Sequence, residues 1–161
     1  MDYLWTPWRY RYITSSADGG ECVFCAAVRN PDDHESLIVY RGASNFVILN
    51  RFPYTSGHLM VVPYQHASAL EELEEETSAE MMRLVRAGVQ RLKTIYHPDG
   101  LNLGMNLGTS AGAGIAGHLH FHLLPRWTGD TNFMTVVSET RVLPETLEET
   151  WKRVRAAFAS A

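Results

Sequence analysis

Cysteine is scarce in this chain: there are two in 161 residues, and they sit together as Cys22-Val-Phe-Cys25. So few cannot staple a fold. The N-terminus, Met1-Asp-Tyr-Leu-Trp-Thr-Pro-Trp-Arg9, lacks the basic-then-apolar pattern of a secretory signal. A reducing cytoplasm is therefore the expected location, and there a C-x-x-C pair reads as metal or redox chemistry rather than a structural disulfide. Long apolar runs are also missing, which excludes a membrane-spanning helix and any membrane partner through one. Positive charge is not in surplus: 14 Lys and Arg against 18 Asp and Glu leave a net charge of −4. That excludes the electrostatic footprint of a protein that grips long nucleic acids, although a small nucleotide needs only backbone amides and a few local cations. No internal repeat is visible.

What is present is an ordinary globular composition, 45% hydrophobic and 20% charged, in a chain long enough to bury roughly two-thirds of its unfolded surface as one domain. Residues 1–20 form an N-terminal arm rich in rings (Tyr3, Trp5, Trp8, Tyr10, Tyr12) without regular periodicity. Its rings are expected to pack on the domain or on a second subunit, with base stacking as the other use. Ser15-Ser-Ala-Asp-Gly-Gly20 links it to a single domain over 21–161.

Within that domain the pattern predicts strands at Leu37–Arg41 and Phe46–Asn50, joined as a hairpin by the turn after Arg41. A compact apolar strand follows at His58–Pro63, and another at Leu101–Asn106. Thr77-Ser-Ala-Glu80 reads as a capping box opening a long helix. Its apolar stripe runs through Met81, Leu84, Val85, Val89, Leu92 and Ile95 and stops at His97-Pro-Asp-Gly100. A last helix is predicted from Pro144, with Leu147, Trp151, Val154 and Phe158 inward. Strands in hairpin order around one long helix give the α+β class with an antiparallel sheet of about five strands.

The chemistry concentrates in His118-Leu-His-Phe-His-Leu-Leu-Pro125. Side chains alternate along a strand, so His118, His120 and His122 share one face, roughly 6–7 Å apart from one to the next. Leu119, Phe121 and Leu123 turn the other way into a core. Imidazole serves as base, acid, nucleophile or metal ligand near neutral pH, and the spacing alone leaves these roles open. A glycine-rich loop, Gly108-Thr-Ser-Ala-Gly-Ala-Gly-Ile-Ala-Gly117, leads into the triad. It matches neither common phosphate-loop motif. Beside three histidines, however, its amides suggest a phosphate seat.

The run His-φ-His-φ-His-φ-φ, with φ apolar, is filled at every position by His118 to Leu124, and the chain thereby resembles the histidine triad (HIT) superfamily. The likeness runs from about Cys22 to Trp127 and takes in Asn50, Gly57-His58-Leu-Met-Val-Val-Pro63 and the long helix. Trp5-Thr-Pro-Trp-Arg9, Asn106-Leu-Gly-Thr-Ser-Ala-Gly112, Pro125-Arg-Trp127 and Gly129-Asp-Thr-Asn-Phe133 are similar to its bacterial diadenosine tetraphosphate phosphorylase-like members. The resemblance implies a HIT-like fold and an enzyme that cleaves a dinucleoside polyphosphate or related nucleoside-phosphate conjugate. His120 would attack the α-phosphorus to give a covalent nucleotidyl-histidine, with His122 orienting it. Asn106, Gly112 and Gly114 would hold phosphate oxygens, and Asn50 and Trp127 would contribute to nucleotide binding. It also implies a homodimer.

One position departs from the family pattern: Gly114 stands four residues before His118, where many relatives carry Gln or Ser. Hydrolase, phosphoramidase and phosphorylase all stay open, with Thr109 and Ser110 as nearby hydroxyls. Two thiolates need two further ligands for tetrahedral zinc, and His is the usual complement. In metal-bearing HIT proteins the pair joins a histidine beyond the central strand and the first triad histidine, which here gives Cys22, Cys25, His66 and His118 around a structural zinc. Two readings of other classes stand beside the enzyme. One is a zinc-containing nucleotide-binding protein with little catalysis. The other is a metalloenzyme with all three triad histidines on one catalytic metal.

Overall fold

The computed structural model describes residues 21–130 and 143–159. The aromatic arm and residues 131–133 of the Gly129–Phe133 stretch lie outside them. Nine α-helices and β-strands are found among the described residues, in the order α1 (Val23–Arg29), α2 (Asp33–Ser36), β1 (Ile38–Arg41), β2 (Asn45–Leu49), β3 (Leu59–Pro63), α3 (Glu75–Tyr96), β4 (Gly100–Met105), β5 (Phe121–Arg126) and α4 (Leu147–Ala159). The strands form one antiparallel sheet in the order β1-β2-β3-β5-β4. The α+β class, the five strands, the long helix and the C-terminal helix are as the sequence predicts.

Every residue of β2 and β3 is buried, because both sheet faces are covered there. One face carries the main core: Val47, Leu49, Leu59, Val61 and Leu123 meet Met81, Leu84, Val85 and Leu92 of α3 and Val154 and Phe158 of α4. The other carries a smaller cluster, in which Ile48, Met60 and Val62 meet Phe24 of α1. Gly88 lets α3 come down onto the sheet, since a Cβ there would stand 2.8 Å from Leu123 Cδ2.

The two sheet edges are treated differently. At β1 the outward carbonyls of Ile38 and Val39 accept hydrogen bonds from Trp151 Nε1 (3.0 Å) and Arg155 Nη1 (2.9 Å) of α4. No such helix covers β4 among the described residues, and Leu103 on it is 48% exposed. An open edge is a place where another chain can pair.

Three local expectations need correction. The long helix starts at Glu75, two residues before the supposed N-cap Thr77, so Thr77 and Glu80 lie inside it. Acidic Glu75 and Glu76 suit the positive end of the helix dipole and carry the first turn further back. The Glu80 carboxylate is taken by the β1–β2 turn instead, accepting from Ala43 N (2.7 Å), Ser44 N (2.7 Å) and Asn45 Nδ2 (2.8 Å). Likewise the triad is not one strand: the ladder begins at Phe121, so only His122 is on it, while His118 and His120 lie in the approach. The predicted alternation survives because Leu119 N bonds to Ala67 O at 2.8 Å and keeps the approach extended. The C-terminal helix begins at Leu147, three residues beyond Pro144.

Candidate active site and metal centre

His118 is 1% exposed, and its Nε2 lies 2.9 Å from the carbonyl of Pro63 at the end of β3. A carbonyl only accepts, so that nitrogen carries the proton and Nδ1 keeps its lone pair. Nδ1 stands 3.3 Å from Cys22 Sγ and 3.7 Å from Cys25 Sγ. Cys25 Sγ is 3.3 Å from Nδ1 of His66 in turn. One donor atom from each of Cys22, Cys25, His66 and His118 lies within 4.8 Å of all the others. Tetrahedral zinc with nitrogen and sulfur ligands wants neighbouring donors roughly 3.4–3.8 Å apart, so the set fits the ion. The local sequence explains the convergence: Cys22 precedes the first turn of α1 and Cys25 sits on it, three residues on, which puts both thiols at one helix end. Burial, followed by the neighbouring Cys22 thiol, pushes the Cys25 thiol up. A cation between them would reverse that and hold both as thiolates.

His120 is 5% exposed and uses the opposite nitrogen. Its Nδ1 lies 2.9 Å from the carbonyl of His118, so Nδ1 carries the proton and Nε2 is left with its lone pair. Burial lowers its pKa, which keeps the ring neutral, as a nucleophile must be. His122 meets His120 ring edge to ring face at 4.7 Å. Burial, then the charge of His120, pushes His122 down to about 4.

A fourth histidine belongs to this group and was not singled out in the sequence, where it opens a predicted strand. His58, 1% exposed, faces His122 Nδ1 with its Nε2 at 2.8 Å. The backbone N–H of Tyr54 donates to His58 Nδ1 at 3.2 Å, and Asn50 Nδ2 stands 3.4 Å from the same atom. His58 therefore carries its proton on Nε2 and donates it to His122. Gly57 makes this approach possible: its φ is +76°, and a Cβ would come within 2.8 Å of the Tyr96 ring. The signal available in sequence was a polar residue heading an otherwise wholly apolar buried strand.

On the face of the smaller core, a cavity of about 1070 Å³ opens beside these groups. Asn50, Gly114 and Gly117 line it, with Phe24 and Met60 as apolar wall. His120 does not line it directly. The Phe24 ring stands in between, 5.3 Å from His118 and 5.1 Å from His120, while Met60 is paired across the sheet with His122. On the other side Gly104 pairs with His122, and a side chain there would meet nothing within 4 Å. Asn106 follows the Met105–Phe121 pair, so its register position is opposite His120. Gly112 ends a short 3-10 turn over Thr109–Ala111 in the left-handed region, φ 89°. Trp127 lies away from the cavity, with its ring against Tyr96 at 6.3 Å.

Comparison with known proteins agrees with this geometry. Residues 32–129 match the family model of the HIT domain. The chain is 39% identical over 166 residues to an AP-4-A phosphorylase of Mycobacterium tuberculosis, covering 99% of this chain and 85% of that protein. It is 29% identical over 105 residues to an adenosine 5'-monophosphoramidase of Schizosaccharomyces pombe, covering 65% of this chain and 74% of that one. Among solved structures it is similar to a zinc-bound histidine triad family protein from Mycobacterium smegmatis. There the identity is 31% and the TM-score 0.68, with 87% of this chain and 94% of that one covered.

Proposed function

Because the chain belongs to the HIT domain family, we propose that it is a nucleotidyl-transferring enzyme acting on a dinucleoside polyphosphate such as diadenosine tetraphosphate. The observation that carries this reading is the tautomer of His120. With Nδ1 donating to the His118 carbonyl, Nε2 is the free nucleophile. It forms a bond to an α-phosphorus and expels the remaining nucleoside polyphosphate, and the nucleotidyl-histidine is then released to an acceptor. His58 donates to His122, whose ring lies against His120, so the three are held in order behind the reacting nitrogen. Amides of the loop at Gly112 and Gly114 and the Asn106 side chain would meet phosphate oxygens as charge develops. Asn50, on the cavity wall, would meet the nucleoside.

Cys22, Cys25, His66 and His118 would hold a structural zinc. When bound, such an ion ties α1 to the end of β3 and to the triad, and closes off His118 as a ligand. A metalloenzyme with all three triad histidines on one ion is disfavoured by the opposite tautomers of His118 and His120. The relatedness to the M. tuberculosis AP-4-A phosphorylase favours phosphate as acceptor, and the phosphoramidase relative supports the second reading, cleavage of a nucleoside phosphoramidate. Two copies pairing through the open β4 edge, with Leu103 and Leu107 covered, would form the homodimer. A reducing cytoplasm would keep the Cys22 and Cys25 pair from closing as a disulfide.

Product analysis with diadenosine tetraphosphate tests the main reading. Attack at the α-phosphorus releases ATP. ADP then forms when phosphate accepts, and AMP when water does. No product with or without phosphate overturns it, and cleavage of adenosine phosphoramidate alone selects the second. Light scattering after size exclusion tests the dimer, which a monomer at micromolar concentration overturns.

A further inference from the structure

A dinucleoside polyphosphate has three parts to place: a first nucleoside, the phosphorus under attack, and a second nucleoside beyond the phosphate chain. In the proposed reaction the cavity wall at Asn50 takes the first and Nε2 of His120 the second. The third sits on the leaving side, and a nucleobase is held there most simply by a flat aromatic ring. The loop between β2 and β3 carries two such rings, Phe52 and Tyr54, 61% and 39% exposed. Two backbone amides set them apart. Phe52 N–H donates to Asn50 Oδ1 at 2.9 Å, and Phe52 lines the cavity with Asn50. Tyr54 N–H donates to His58 Nδ1 at 3.2 Å, and Tyr54 lies outside that lining. Its ring stands 4.8 Å from His58 and 6.4 Å from His122, nearly parallel to the latter at 22°. His122 meets His120 at 4.7 Å in turn. The rings of His120, His122 and Tyr54 thus form a row from the reacting nitrogen to an aromatic ring beyond the nucleoside cavity.

We propose that Tyr54 is the stacking platform for the second nucleobase of a dinucleoside polyphosphate, on the leaving side of the reactive histidines. This rests on the dinucleoside polyphosphate reading and names the residue by which the site favours a substrate with two bases over one with a single base. Every base has a π-face, so stacking on Tyr54 selects for the presence of a second base and not for its identity. A nucleoside phosphoramidate has no second base and gains nothing from the ring. The second base does not react, so its stack is equally strong in the ground state and the transition state. Tyr54 therefore acts on KM and leaves kcat alone. A ring that only shielded the His58–His122 hydrogen bond would do the reverse, lowering kcat for every substrate.

The test compares diadenosine tetraphosphate with adenosine 5'-tetraphosphate, which keeps the phosphate chain and lacks the second nucleoside. Both are titrated by calorimetry into His120→Asn, where the nucleophile is gone, with Tyr54 intact or changed to Leu or Phe. With Tyr54 or Phe, the dinucleotide is expected to bind about tenfold tighter than the mononucleotide, the scale of one base–aromatic stack. Tyr54→Leu is expected to lose that advantage and to bind adenosine tetraphosphate unchanged, which also shows that the variant is folded. In the chain with His120 intact, Tyr54→Leu is expected to raise KM for diadenosine tetraphosphate about tenfold at constant kcat. Equal weakening of both ligands, or no change in either, overturns the platform and leaves the nucleotide reading intact. A fall in kcat instead of a rise in KM also overturns it, and makes Tyr54 a support for His58. Failure of the Tyr54-intact chain to bind either ligand overturns the platform together with the reading it rests on.

Discussion

His118 and His120 are two residues apart, both almost wholly buried, and they do opposite things with the same ring. His118 gives its Nε2 proton to Pro63 O and turns Nδ1 toward two thiols. His120 gives its Nδ1 proton to the His118 carbonyl and keeps Nε2 free. A single backbone carbonyl on each side decides which nitrogen is the ligand and which is the nucleophile. The chain thereby places a metal cluster and a reactive histidine next to each other without letting them compete: neither ring can take the other's role without losing a buried hydrogen bond. The carbonyl of His118 also joins the two regions, since whatever fixes His118 fixes the acceptor that sets the tautomer of His120.

The sharpest break of this contrast is His120→Asn. Turnover is expected to fall by roughly 10⁴-fold or more, as when a covalent nucleophile is removed. Zinc content by emission spectroscopy is expected to stay at the wild-type value. Joint loss of zinc and activity would mean the two regions are one site. Next in size is the double change Cys22→Ser/Cys25→Ser. Loss of a structural ion withdraws several kcal/mol of folding energy, so thermal unfolding is expected roughly 10 °C lower. Residual turnover above that of His120→Asn would follow, because the nucleophile survives. An unchanged melting temperature would remove the structural role.

How much of this the sequence made legible follows from what each feature depends on. The long helix and β2 and β3 came from periodicity, because apolar faces must be buried whatever else the chain does. The triad came from spacing, and the Cys and His set from a family pattern. His58 came only as part of a matched stretch, with no role of its own. Its role depends on Gly57 in the left-handed region and on Tyr54 N reaching its Nδ1, contacts that no residue type announces. The start of α3 was misplaced for a similar reason. Glu80 looked like half of a capping box, yet its carboxylate closes a hairpin turn 35 to 37 residues earlier in the chain. Local motifs compete with tertiary partners for the same oxygens, and the tertiary partners won. Asn106 came from the family pattern, whereas Gly104 owes its relevance to register on an edge strand, which spacing does not reveal.

His58→Asn tests whether the reactive side is an ordered set rather than a lone nucleophile. Removing the donor to His122 is expected to cost roughly 10²–10³-fold in kcat with KM little changed, the scale of a displaced acid–base partner. Zinc content and the melting temperature of the metal-loaded chain serve as controls. A variant with unchanged kcat would reduce His58 to packing.

The smallest effect sharpens the contrast from the side of protonation. His122 is held down to about 4 by burial and then by the charge of His120, against an ordinary value of 6.5. Its folded pKa is therefore depressed, and the neutral ring is the form the fold prefers. Between pH 6.5 and 4 the unfolded chain binds this proton and the folded chain does not. Stability from this group is thus fully present above 6.5, falls as the pH drops through that window, and is gone below about 4. The shift caps its size at about 3 kcal/mol, and incomplete burial of the ring makes the measured value smaller. Urea unfolding of wild type and His122→Asn at a series of pH values isolates the contribution. The wild type is expected to lose more stability than the variant between pH 6.5 and 4, and the two curves to run parallel above 7. Parallel curves throughout would mean that His122 titrates as an ordinary surface imidazole, and that the order His58–His122–His120 does not keep the reactive side neutral.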